Sequence, residues 1–120
     1  MEDYNSIFTG DQIDEAVDAV LYPVLKLVSK TASFNFTATE QNAIVNASSS
    51  SAIVATIQPD SVLNLPIGTV LMMRRVGTGA ASFVAGSGVT LEAGNGLSIT
   101  AQYRYGTAIK MDTDKWSVVC

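Results

Sequence analysis

Two patterns divide the chain. Between residues 9 and 21, apolar positions recur at helical spacing, so that Ile13, Ala16, Val17, Val20 and Leu21 fall on one stripe. Thr9 and Gln12 have the spacing of a capping box, in which each side chain satisfies a free backbone N–H of the first turn. Asp11, Asp14 and Glu15 follow near the positive end of the helix dipole, and Pro23 stops the helix. The pattern predicts an N-terminal arm, residues 1–32, with a short α-helix over 10–21. Beyond Pro23, the run Val24, Leu25, Leu27 and Val28 suits either a second helical turn or a first strand.

From Ser33 onward the period falls to two and turn residues punctuate the chain. "SFNFTAT" (33–39), "SAIVATI" (51–57), "GTVLMMRRV" (68–76), "ASFVA" (81–85), "GVTLEA" (88–93), "GLSIT" (96–100), "GTAIKM" (106–111) and "WSVVC" (116–120) read as strands. "QPDS" (58–61) reads as a turn, "NASSSS" (46–51) as an exposed loop, and Asn95-Gly96 as a tight hairpin turn. Short strands at intervals of about ten residues predict a mainly β body over 33–120, a sandwich or barrel-like fold behind the helix. No internal repeat of solenoid length emerges.

Composition adds two constraints. The chain has 120 residues, 48% of them hydrophobic and only 15% charged, against roughly 25% charged in ordinary soluble proteins. A chain of this size buries only about two-thirds of the surface its unfolded form exposes, so self-association would supply missing core. Charge is also uneven. Residues 1–25 hold six acids and no base, while the rest hold five acids and seven bases. That distribution suits an arm docking on a basic surface, or else a plain solvated helix face, and it argues against nucleic acid as a partner. No apolar window is long enough to span a membrane and no secretory signal opens the chain, so no membrane partner is expected.

Candidate chemistry is sparse. Gly77, Gly79, Gly86 and Gly88 are followed by no Gly-Lys pair, as a phosphate-cradling loop needs, and Gly77-Thr78-Gly79-Ala80-Ala81 leads to Ser82 rather than to the third glycine of a dinucleotide fingerprint. These glycines read as turns. Arg74 and Arg75 are adjacent, so a strand points them to opposite faces. Asp112-Thr113-Asp114 reads as a polar turn, with too few oxygen ligands for a calcium loop. Tyr103, Tyr105 and Trp116 suit core or interface positions. The chain has no histidine, and Cys120 is its only cysteine. No catalytic residue, metal site or cofactor is expected, and the chain does not read as an enzyme.

Two stretches together resemble virion proteins of tailed bacteriophages. "FTGDQIDEAVDAV" (8–20) resembles an N-terminal segment of short tail-fibre and head-fibre proteins. The run from 55 to 119 resembles a β-rich module of such proteins: a T-I-x-P strand and turn, a Pro-x-Gly-Thr step, an "F-x-A-G-x-G-V-T-L" hairpin, a tyrosine-bearing segment and a closing "W-x-V" strand. In the family that strand commonly runs on to a glycine-containing tail, whereas this sequence ends at Cys120.

The resemblance implies a homotrimeric phage structural protein, assembled in the host cytoplasm and resident in the virion. Length favours a capsid decoration or short head-fibre protein, since a small module directly follows the arm. The stripe Ile13, Val17, Val20 and Leu21 is expected to dock on the major capsid protein, and Arg74, Tyr103, Tyr105 and Trp116 are expected at the trimer interface. The alternative is a small tail-fibre or receptor-binding subunit that meets host surface glycans through "NASSSS", "EAGNG" and "DTDKW". A small carbohydrate-active enzyme is disfavoured, because no acid–base pair is in view.

Overall fold

Over most of its described length the chain crosses between two sheets, and it doubles back within one only at its last two strands. The computed structural model describes residues 24–120. In order these form β1 (Lys26–Lys30), β2 (Phe34–Asn35), a 3-10 turn (Ala38–Glu40), β3 (Ala43–Ala47), β4 (Ile53–Ile57), β5 (Val70–Arg75), β6 (Ala81–Ala85), β7 (Thr90–Ala93), β8 (Ser98–Ile99), β9 (Tyr105–Asp112) and β10 (Lys115–Val119). Odd strands up to β7 join a six-stranded sheet in the order β1-β3-β5-β9-β10-β7, and even strands up to β8 join a four-stranded sheet in the order β2-β4-β6-β8.

The first three passes through the two sheets stack in parallel, β3 on β1, β4 on β2, β5 on β3 and β6 on β4, whereas β8 pairs antiparallel with β6 and β7 pairs with β10. The result is a short solenoid-like winding, closed by the antiparallel hairpin β9–β10, which pairs with β5. The mainly β class read from the sequence holds. The arm helix expected over 10–21, with Ile13, Val17, Val20 and Leu21, lies outside the described residues. Lys26–Lys30 is a strand, which resolves the choice left open beyond Pro23.

Two turn readings need correction. Asn95-Gly96 does not close a tight hairpin: β7 and β8 lie in different sheets, and only Gly96 has a positive φ, of 83°. The "F-x-A-G-x-G-V-T-L" segment is likewise a corner between sheets, with β6 on one side and β7 on the other. The hairpin that does form turns at Thr113-Asp114, where Asp114 has φ 51°. This is the polar turn expected there: the Asp112 Oδ1 accepts from the Thr113 N–H, and the Asp114 Oδ1 from the Asp60 N–H at 2.6 Å.

The core fills the space between the sheets. Val45, Ala47, Leu71, Met73, Ala108, Trp116 and Val118 point inward from the larger sheet, and Ile53, Ala55, Ile57, Ala81, Phe83 and Ile99 from the smaller. Alternation of buried and half-buried positions along β3, β4 and β10 follows from the two-residue period of a strand. Phe36 stacks on Phe83 with ring centroids 5.9 Å apart and meets Phe34 edge-on at 4.9 Å. Phe36 and Phe83, both fully buried, each stabilise the fold by about 1.5–3 kcal/mol.

Glycine at Gly77 and Gly79 serves close approach, a stricter demand than turning. A Cβ on Gly77 would stand 2.1 Å from the Ser49 carbonyl oxygen, and one on Gly79 would stand 2.1 Å from that of Ser51. The "GTG" corner therefore lies directly on the "SSSS" corner of the preceding pass, and the Gly79 N–H donates to the Ser49 carbonyl at 2.9 Å. The serine loop is part of the stacking.

Two buried ions lock the passes. Lys110, 2% exposed, donates to the Asp60 carboxylate and to the Leu65 carbonyl, both at 2.7 Å, and so ties the long 58–69 connection to β9. Glu40 closes a capping box on the 3-10 turn: its Oε1 accepts from the Thr37 N–H at 2.7 Å and from the Thr37 hydroxyl at 2.9 Å, while Lys30 at the end of β1 stands 3.4 Å from its Oε2. Burial by itself raises the Glu40 pKa. The Thr37 hydrogen bonds and the Lys30 charge outweigh that effect and hold the carboxyl below its ordinary value.

Because stacked corners have no room to give, Gly77→Ala should lower stability by about 1–3 kcal/mol, the range of overpacked sites. Gly94→Ala, with nothing within 4 Å of an added Cβ, should leave the melting temperature nearly unchanged, and equal effects would refute the stacking role. For Glu40, the unfolded chain binds the proton more readily than the folded one. Its contribution is thus complete above the unfolded value of about 4.3 and disappears as pH falls through the lower folded value. Denaturant titrations should show Glu40→Gln less stable at pH 7 by about 1–3 kcal/mol, with the gap closing towards pH 3; a gap independent of pH would contradict the assignment.

Candidate interaction surface

At the C-terminal end of β5, the two arginines part as a strand requires. Arg75 turns along the corner, where its guanidinium donates to the carbonyls of Gly77, Ile99 and Thr78, and it serves structure. Arg74 goes to the outer face of the six-stranded sheet. There its guanidinium carbon stands 5.4 Å from the centroid of the Tyr103 ring, a cation–π distance. Its register partner on β9 is Tyr105. Three of the four side chains singled out as interface residues therefore meet at one place, from segments about thirty positions apart in sequence.

Trp116, the fourth, does not join them. It is 2% exposed and packs in the core on β10, so its place among the interface residues is corrected. The reason is parity: Trp116 and Val118 fall on the inward side of β10, and Ser117 and Val119 on the other. Its indole Nε1 is buried without a hydrogen-bond partner.

Hydrogen bonds hold the cluster in position against backbone strain. Tyr103 has φ 68°, a left-handed conformation that bulky residues rarely adopt and that persists only where surrounding contacts impose it. Those contacts are present. The Tyr103 N–H donates to the Arg75 carbonyl, the Arg75 N–H donates to the Arg104 carbonyl at 3.0 Å, and the Gln102 side-chain amide donates to the Val76 carbonyl at 2.8 Å. The 101–104 turn is thereby pinned to the end of β5. Tyr103 is 58% exposed and Tyr105 50% exposed, so the pinning presents the rings to solvent instead of burying them.

Sequence reasoning picked these three residues by type but gave no sign that they converge. Its clearest omission was the Thr37-Ala38-Thr39-Glu40 capping box, which has the same T-x-x-E/Q spacing it recognised at Thr9 and Gln12.

Chemical groups elsewhere are few. Among the described residues no group of three or more His, Cys, Asp or Glu side chains could hold a metal ion. Burial pushes the Cys120 thiol up, against the opposing pull of Arg104. One shallow groove, lined by Ser33, Phe34, Asn35, Val54 and Thr56, opens on the smaller sheet and carries no ionisable group. Comparison with protein-family models, with curated proteins and with solved structures finds no significant match.

Proposed function

We propose that this chain is a non-enzymatic structural protein that self-associates as a homotrimer and decorates a phage virion, as a capsid decoration or short head-fibre protein. The carrying observation is the Arg74–Tyr103–Tyr105 cluster. Arginine and tyrosine are, with tryptophan, the residue types enriched where protein interfaces concentrate their binding energy. Here they are gathered on an outer sheet face and held there by a strained turn. A copy of the chain that covered the two rings would gain buried aromatic area without reorganising the backbone, since the 101–104 turn is already fixed.

The virion assignment rests on the resemblance of residues 8–20 and 55–119 to phage fibre modules. In that reading the N-terminal arm docks on the major capsid protein, and three weak arms joined in one trimer bind far better than one. A body of stacked passes with short edge strands suits the role. β2 and β8 have two residues each and β1 is flanked by Lys26 and Lys30, features that discourage uncontrolled edge-to-edge growth.

Co-sedimentation with isolated virion heads and, separately, with tails tests the location. Saturable binding to heads is expected, and a chain lacking residues 1–23, which keeps all the described strands, should lose it. Binding to tails alone would overturn the capsid reading in favour of the adsorption apparatus.

A further inference from the structure

Between β7 and β8 the chain runs Gly94-Asn95-Gly96, and all three residues are exposed. In an asparagine–glycine pair the next backbone nitrogen reaches the side-chain carbonyl carbon with least obstruction, because glycine has no Cβ and few backbone restrictions. The fold adds an independent reason. Apart from the adjoining residues, no heavy atom stands within 4 Å of where a Cβ would lie on Gly94 or on Gly96, so the loop has open space on both sides of Asn95.

The other asparagines among the described residues lack that freedom. Asn35, Asn42, Asn46 and Asn64 each precede a residue at most 5% exposed: Phe36, Ala43, Ala47 and Leu65. The Phe36 N–H donates to the Thr56 carbonyl at 2.9 Å, and Asn46 and Ala47 lie within β3. The Asn42 Oδ1 accepts from the Val70 N–H at 3.2 Å. Asn64 is exposed, but Leu65 is buried and its carbonyl accepts from Lys110.

We infer that Asn95 is a self-modification site, at which the chain converts its own asparagine to aspartate and isoaspartate. The Gly96 nitrogen, giving up its proton to solvent base, attacks the Asn95 Cγ. A new N–Cγ bond forms, the Cγ–Nδ2 bond breaks, and ammonia leaves with the proton it needs. Water, the only co-reactant, then opens the five-membered imide. Cleavage of the N–Cγ bond gives aspartate, and cleavage of the original backbone bond gives isoaspartate, whose chain runs on through Cγ and is one carbon longer. No oxidant or reductant takes part.

The fold accommodates either product. The added carbon falls at an exposed loop tip, where changes are best tolerated. The chain is anchored again at Leu97, whose carbonyl accepts from the Phe83 N–H at 2.9 Å, and at Ile99, which is 1% exposed and pairs with Ala81. The net charge of −4 becomes one unit more negative, and the segment that holds Glu92 gains a second carboxylate. This chemistry does not depend on the virion assignment.

Peptide mapping of the full, folded chain during ageing in mildly alkaline buffer tests it. Peptides spanning Asn95 should become about 1 Da heavier as oxygen replaces NH, and an isoaspartate-specific methyltransferase should label them. Conversion is expected at least about tenfold faster there than at Asn35, Asn42, Asn46 or Asn64, and faster still as pH rises. Gly96→Ala should slow it by about tenfold. The native chain carries the test by itself, so the outcome does not depend on a variant folding. An Asn95 peptide that keeps its mass in the folded chain but gains it in urea would overturn the inference, because the loop would then protect the site. Equal rates at all five asparagines would overturn it as well.

Discussion

The backbone ladder between successive passes of the chain is the interaction on which the rest depends. Parallel pairing of β1, β3 and β5 on one side and of β2, β4 and β6 on the other fixes which side chains face inward, because a one-residue slip would invert every strand. It also requires the corners to stack, and they stack only because Gly77 and Gly79 have no side chain. The same demand recurs at Gly106 on β9, where a Cβ would meet the Phe83 ring at 2.8 Å. Close approach decides Gly77, Gly79 and Gly106, whereas Gly68, Gly88 and Gly96 have positive φ with open space around them.

The outer face of the six-stranded sheet is a consequence of that ladder. Once Val45, Leu71, Met73, Ala108 and Val118 are committed to the core, alternation sends Ile44, Met72, Arg74, Tyr105, Ile109 and Val119 to the other side. Its two ends differ in character. Aliphatic side chains gather where the chain enters the sheet, and cation and aromatic rings gather where β5 ends. The Arg–Tyr end suits another copy of the chain.

Much of this was legible in the sequence, and the gaps have physical causes. Strands such as Ala81–Ala85 and Ile53–Ile57 were plain, because β-branched and aromatic residues alternate with small polar ones between turn signals. β3 (Ala43–Ala47) was missed, since its inward positions are Ala43, Val45 and Ala47 and two alanines make a faint apolar signal. The winding itself was hidden by unequal passes. Partners lie 17 residues apart from Lys26 to Ala43 but 28 apart from Ile44 to Met72, because the 58–69 connection lengthens the second pass. No fixed period survives in the sequence to betray the repeat. Arg74, Tyr103 and Tyr105 could be named from residue type, but their meeting depends on β5 and β9 being neighbours, and Trp116 was lost to strand parity.

Self-association through the Arg74–Tyr103–Tyr105 end of the sheet is the central claim, and the native mass in solution tests it most directly. Sedimentation equilibrium on the full chain at micromolar concentration should give three chains, and a double substitution, Arg74→Ala with Tyr105→Ala, should shift the population towards single chains. A single-chain mass at every concentration, or a trimer indifferent to the double substitution, would contradict the account.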